Sequence, residues 1–222
     1  MSEDALRNFS GTARLFPLPN LVLFPHVVQG LHVFEPRYRQ MTADALAGDG
    51  LIALVLLRAD GDEAAARPAL EPVACLGRIV WHERLADGRY NLRLQGLSRA
   101  SIVAELETGR PYRTARVQLV PDAAPADLAA LARLRRDLAA VVLPRFGDDS
   151  PARQQLQELF DGDRPLGQVC DILSYALPLP VELKQSLLAE PHADRRAAAI
   201  ADTLRVSAAR ADRPFPPPFS SN

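Results

Sequence analysis

Lysine is almost missing from this 222-residue chain: Lys184 stands alone, and every other basic residue is arginine. No P-loop string occurs, and Lys184 has no paired serine that the sequence identifies, so lysine-dependent phosphate or protease chemistry has no foothold. An exposed helix face is its simplest place. Cysteine is scarce as well. Cys75 and Cys170 lie far apart, without disulfide or metal spacing, and both fall on apolar faces, a pattern of buried thiols in a reducing compartment. H-E-x-x-H and C-x-x-C strings are absent, and the four histidines are scattered. His26 and His32 are close enough in sequence to share a metal, but satisfied or exposed imidazoles are the better reading, so neither metal nor cofactor is expected. A net charge of −1 and a pI near 6.4 give no overall attraction for nucleic acid. The longest uninterrupted apolar run, Leu51–Leu57, has seven residues, where a membrane span needs about 20. Met-Ser-Glu-Asp at the start lacks the basic and apolar regions of a secretion signal. These gaps together suggest a soluble cytoplasmic protein.

Proline, by contrast, is placed with purpose. Pro17, Pro19 and Pro25 interrupt Leu15-Phe-Pro-Leu-Pro-Asn-Leu-Val-Leu-Phe-Pro-His26, which would otherwise read as one long strand. Each proline lacks the ladder donor and fixes φ, so each marks an edge, a bulge or a turn. The expected succession is a strand, an ordered apolar loop, a strand over Gly30–Phe34 and a helix opening at Pro36. That helix carries Tyr38, Met41, Ala45 and Leu46 on one side.

The apolar period changes near residue 122. Before it, Leu51–Leu57 reads as a strand covered on both faces, Asp60–Pro72 as a mobile loop, and Val73–Leu85 as a long strand. Asp87-Gly88 signals a two-residue hairpin, since both positions accept φ > 0. Tyr90–Gln95 alternates, Gly96 permits a bend, and Ala100–Leu106 and Tyr112–Val120 follow as strands. Six or so strands with one helix suggest a small, partly closed barrel. After residue 122 the spacing is helical. Leu128, Leu131, Leu134, Leu138, Val141 and Val142 form a stripe opposite Arg133, Arg135, Arg136 and Asp137. Leu166, Val169, Cys170, Leu173 and Leu177 form another, and Ser150-Pro151 is a helix start. Helices carrying Leu183, Leu187 and Leu188, then Ala197, Ile200, Ala201 and Leu204, complete a bundle. The expected organisation is α+β: a β-barrel subdomain over 1–122, a helical subdomain over 123–210, and a disordered proline-rich tail over 211–222.

Little in the chain carries chemistry. Gly96-Leu-Ser98-Arg-Ala100 approaches G-x-S-x-G, but residues 101–106 read as strand, without the strand–turn–helix that exposes a nucleophile. Asp60-Gly-Asp62-Glu63 and Asp161-Gly-Asp163 resemble fragments of calcium loops that lack their remaining ligands. Binding is better represented. Leu21, Val22, Leu23 and Phe24 are either core or a Pro-bracketed apolar patch held at the surface. Phe34, Arg37 and Tyr38 are candidates to line a groove, although Glu35 at the helix start and Tyr38 against the sheet also make structural sense.

LFPLPNLVLFP…LHVFEPRY resembles the opening of the amino-terminal substrate-binding domain of Lon-type proteases. Tyr38–Leu46, Leu51–Leu57, the Gly-Arg-Ile79 strand, Leu94-Gln-Gly-Leu-Ser-Arg99 and Leu177–Leu188 with Arg195-Arg196 extend the likeness over roughly residues 12–206. The resemblance implies a PUA-like barrel followed by a helical bundle, recognising unfolded or damaged polypeptide. It implies a stand-alone, non-catalytic module, since no ATPase P-loop or Ser-Lys protease domain is read before Asn222. A quality-control adaptor partnered by a protease or chaperone is the expectation, with Leu21–Phe24, Phe34, Arg37 and Tyr38 as binding residues and homo-oligomerisation left open. RNA binding through Arg89, Arg93, Arg99, Arg113 and Arg116, and a small-molecule pocket, are the alternatives.

Overall fold

The computed structural model describes residues 6–7, 9–58, 67–124 and 127–211. The tail over 212–222, the Asp60-Gly-Asp62-Glu63 segment and most of the loop expected over Asp60–Pro72 lie outside the described residues. The chain forms two compact units. One takes in the described residues up to Pro121 together with Asp171–Pro191; the other takes in Asp122–Cys170 and the described residues from His192 onward.

The first unit holds six strands, β1 (Thr12–Leu18), β2 (Val28–Val33), β3 (Leu51–Leu56), β4 (Val73–Arg84), β5 (Tyr90–Leu106) and β6 (Thr114–Val120), with helix α1 (Pro36–Leu46) between β2 and β3. Their order is β2-β5-β4-β3-β1-β6, and β6 pairs again with β5. β1 and β3 are parallel, a pairing that requires a crossover, which β2 and α1 supply. Tyr90–Gln95 of β5 pairs with β2, while Arg99–Leu106 pairs with β6. The sheet thus returns on itself through one bent, 17-residue strand. With β2 outside that circuit it is not a true barrel, although the mixed α+β architecture is the one expected. The interior is narrow, and Ala13, Ala53, Ala74, Ala100 and Ala115 share it with Leu15, Val55, Leu76 and Val117. Small side chains let facing strands of so tight a sheet approach. β3 is buried along its whole length, as its unbroken apolar run requires.

Three local expectations change. Ala100–Leu106 is no separate strand but the continuation of β5 through Gly96. Asp87-Gly88 is not a two-residue turn with both φ positive. Only Gly88 has positive φ, at +83°. Gly88 N–H donates to Leu85 O and Leu85 N–H to Arg89 O, a longer loop closed by a left-handed glycine. Pro17 lies inside β1 rather than at its end. Leu15 N–H points to Arg113 O on the β6 side, so Pro17, two residues on, turns its missing donor the same way. There β6 has already ended, its pairing stopping at Arg14.

The helices after β6 are α2 (Leu128–Val142), α3 (Pro151–Asp161), α4 (Leu166–Ala176), α5 (Val181–Ala189) and α6 (Ala193–Ala211). Ser150 caps α3, its hydroxyl accepting from Arg153 N–H at 3.1 Å. Two basic side chains depart from the solvated faces expected of them. Arg135 donates to the carbonyls of Phe160 and Gly162 at 3.0 and 2.7 Å, closing the end of α3. Lys184 is half-buried and donates to Tyr175 O at 2.9 Å, satisfying a carbonyl in the last turn of α4. In the second unit, fully buried Arg196 pairs with Asp122 at 2.7 Å. Gly167 leaves room for it, since a Cβ there would overlap the Asp122 carboxylate.

Within the first unit, Arg99 of β5 is buried and forms a two-pronged ion pair with the equally buried Asp171 of α4. Its Nε donates to Leu188 O of α5 at 2.9 Å. Stranding one buried charge costs about 3–5 kcal/mol, whereas replacing both with apolar residues of like volume is near neutral. Arg99→Met and Asp171→Leu should therefore each lose roughly that stability in urea unfolding, and the double variant should recover most of it. Additive losses would show that the pair does not act as a unit.

Candidate functional site

The apolar loop after β1 is core. Val22, Leu23 and Phe24 are 3%, 0% and 0% exposed, and Leu21 is partly covered. The reason is a backbone anchor. His26 N–H donates to Gly96 O and Gly96 N–H to Val27 O, at 2.9 and 2.8 Å. A Cβ on Gly96 would overlap Phe24 O. His26 turns the chain with φ of +67°, the one positive value among the described non-glycine residues. As folded, the three buried side chains offer nothing to a passing polypeptide. Tyr38 is also buried, its ring 4.6 Å from that of Phe16 with the Arg37 guanidinium 4.6 Å above it. Arg37 itself is exposed and bonded to Glu35 at 2.9 Å, so Glu35 answers Arg37 rather than capping the helix with its side chain.

Arg37 and Tyr38 do border a cavity of about 300 Å³, with Pro17, Arg110, Tyr112 and Arg113. Its cations are neutralised in place. Arg110 pairs with Asp44, and Arg113 with Glu105. Tyr112 Oη donates to Asp44 at 2.6 Å, and this bond leads the causes that hold the Asp44 carboxyl below its ordinary range. Burial and Asp44 push the Tyr112 phenol up.

Of the sequence-predicted residues, Phe34 stands furthest out, 60% exposed. It belongs to a surface that sequence reasoning missed. β2, β5 and β4 lie side by side, and their registers align three rows of side chains: Val28–Gln95–Arg78, Gly30–Arg93–Trp81 and His32–Asn91–Glu83. The rows are real contacts. His32 Nδ1 lies 2.7 Å from Asn91 Oδ1, Asn91 Nδ2 donates to Glu83 at 3.2 Å, and the Arg93 guanidinium sits 5.4 Å from the Trp81 ring centre. Phe34 extends the β2 column, stacked near His32 at 6.2 Å. Trp81 and Val28 are 46% and 47% exposed. Among the described residues Arg78 and Arg93 of these rows have no carboxylate partner and Glu83 is their one acid, so this apolar face carries a slight excess of positive charge. Two-residue alternation along β2 was its only trace in the sequence, and register was needed to bring it beside Trp81.

Candidates for chemistry recede. Ser98 is an interior strand residue whose hydroxyl bonds Arg99 O at 3.0 Å. Burial pushes the Cys75 thiol far up, away from any thiolate role. Among the described residues no three His, Cys, Asp or Glu side chains are grouped to hold a metal ion, and no helix is long and apolar enough to cross a membrane. Of the arginines suggested for RNA, Arg99 is buried in its ion pair, while Arg89 and Arg113 are bonded to Asp87 and Glu105.

Over residues 12–206 the sequence matches the family described as the ATP-dependent protease La (LON) substrate-binding domain, and the chain belongs to that family. Lon protease of Anaeromyxobacter dehalogenans (strain 2CP-C) is 28% identical over 177 residues, 78% of this chain and 20% of that protein. Lon protease 4 of Sorangium cellulosum (strain So ce56) is 31% identical over 202 residues, 89% of this chain and 24% of that protein. The chain thus spans only about a quarter or less of these relatives' length. The fold is that of the N-terminal domain of Mycobacterium avium complex Lon protease, with a TM-score of 0.67 at 18% identity, covering 87% of this chain and 98% of that one. The Lon N-terminal domain protein from Xanthomonas campestris matches with a TM-score of 0.60 at 24% identity, over 91% and 99% of the two chains.

Gly96→Ala should cost about 1–3 kcal/mol by overpacking and open residues 19–27 to limited proteolysis; unchanged stability and cleavage would show that the loop is not held there. Asp44 gives a pH test. Because its folded pKa is depressed, it contributes stability above its ordinary pKa, and that contribution is lost as pH falls through the lower, folded value. Tyr112→Phe removes the leading cause, so carboxyl-carbon NMR should find Asp44 titrating at higher pH and a smaller acid-side loss.

Proposed function

We propose that this member of the LON substrate-binding family is a non-catalytic module that binds unfolded polypeptide on the β2–β5–β4 face. The observation carrying the reading is the cluster of Phe34, Trp81 and Val28, large apolar side chains exposed together on the β2–β5–β4 face. Exposed apolar groups in a basic frame suit segments that a folded protein hides. Substrate-binding membership favours the same ligand class. We also infer service as a quality-control adaptor to a protease or chaperone in the cytoplasm, where the buried thiols Cys75 and Cys170 would stay reduced. Against the RNA alternative, the five arginines first considered leave only Arg93 and Arg116 without a carboxylate.

Trp81 is the single tryptophan, so its fluorescence reports on the face directly. A reduced, carboxymethylated protein that cannot refold should change that emission saturably, while its native form should not. Phe34→Ser should weaken binding about tenfold while leaving the unfolding midpoint near that of the parent. Equal affinity for native and unfolded forms, or an unaffected Phe34→Ser variant, would overturn the assignment.

A further inference from the structure

β2 ends the strand order, paired on one side with β5. Gly96 N–H donates to Val27 O, so Val27 turns its backbone groups towards β5. In an antiparallel ladder that direction alternates by residue. Gln29, Leu31 and Val33 therefore also face β5, while Val28, Gly30 and His32 turn their N–H and C=O groups outward. Consistent with this, Gly30 O accepts from the Gln29 side-chain amide at 2.6 Å rather than from β5. All three outward residues are exposed. β2 carries none of the lysines, prolines or inward charges by which edges are commonly blunted. The inner side is held, since Tyr175 Oη donates to Gln29 at 2.7 Å.

From this geometry we infer that β2 is a template for strand addition: an extended client segment pairs with Val28, Gly30 and His32 and becomes a further strand of the sheet. The inference rests on the polypeptide-binding reading and specifies its mode. An extended backbone is the ligand whose donors and acceptors repeat at the spacing of the three outward residues. Gly30 sits at the centre with no side chain, and nothing lies within 4 Å of where its Cβ would be. The segment's side chains on the exposed face fall beside Val28, His32 and Phe34. Charge selects among segments. Arg78 and Arg93 on this face lack carboxylate partners, so apolar residues interspersed with Asp or Glu fit better than basic ones. Main-chain pairing gives such binding tolerance of sequence, and the basic apolar face gives a bias.

Proline at position 30 would delete an outward N–H while sparing every bond to β5. Gly30→Pro should therefore keep the parent's far-UV dichroism and unfolding midpoint yet bind the carboxymethylated client at least tenfold more weakly. Gly30→Ala, which retains the N–H, should bind normally. Should Gly30→Pro misfold, unmodified protein with N-methylated copies of a captured client peptide supplies the same information, affinity dropping at every second peptide position. Exchange of the Val28, Gly30 and His32 amides should slow on binding. Undiminished client binding by folded Gly30→Pro, or N-methylation without period two, overturns strand addition and leaves polypeptide binding standing. Failure of the parent protein to bind any unfolded client removes both. Displacement of the client from this edge by single-stranded RNA, or self-association abolished by Gly30→Pro, would assign the edge to another occupant and likewise overturn the inference.

Discussion

The buried pairing of Arg99 with Asp171 is the interaction on which the organisation of the sheet unit depends. A guanidinium withdrawn from water must find acceptors for its donors. Here they are the Asp171 carboxylate and the Leu188 carbonyl. Three residues earlier on the same strand, Gly96 receives the backbone of the apolar loop. One short stretch of β5 thus fixes two helical segments through a side chain and a loop through its main chain. The geometry gives the Gly-Leu-Ser-Arg99 string a structural purpose, with glycine needed for close approach and arginine for a forked donor set.

Arginine in place of lysine follows the same logic across the chain. Arg135 joins carbonyls at the end of α3, Arg153 donates to Leu143 O at 2.7 Å, and Arg113 joins Glu105 to Pro68 O. A planar group with five donors can satisfy several acceptors at once, which a single ammonium on a flexible stem does less well. Among the arginines without a carboxylate partner, Arg78 and Arg93 lie on one face of the sheet. They gather where Trp81, Phe34 and Val28 are also exposed. That combination of exposed apolar and cationic groups is the feature on which the proposed polypeptide binding rests.

The two candidate surfaces exchange roles when the fold is considered. Leu21–Phe24, the more hydrophobic string, serves the core because its backbone is held against Gly96. The β2 residues look unremarkable as a string, yet β2 is the strand that lies outside the closed circuit. Its outward side chains and its outward backbone groups consequently meet solvent together. A sheet that closed fully would have had no such edge.

The amino-acid sequence by itself determined the period of each segment, the helix start at Pro36, the buried run of β3, the helical character beyond residue 122 and the likeness to Lon substrate-binding domains. These are local matters: proline's fixed φ, two-residue and 3.6-residue repeats, and an unbroken apolar run each act within a few residues. Tertiary structure alone decided that Val22, Leu23 and Phe24 are core, that Arg99 meets Asp171, that Lys184 closes a helix instead of facing solvent, and that Phe34, Arg93 and Trp81 share one face. Each of these depends on strand register or on partners distant along the chain. Hydrophobic pattern states that a residue will be buried or exposed on some face, whereas only the packed arrangement states against what.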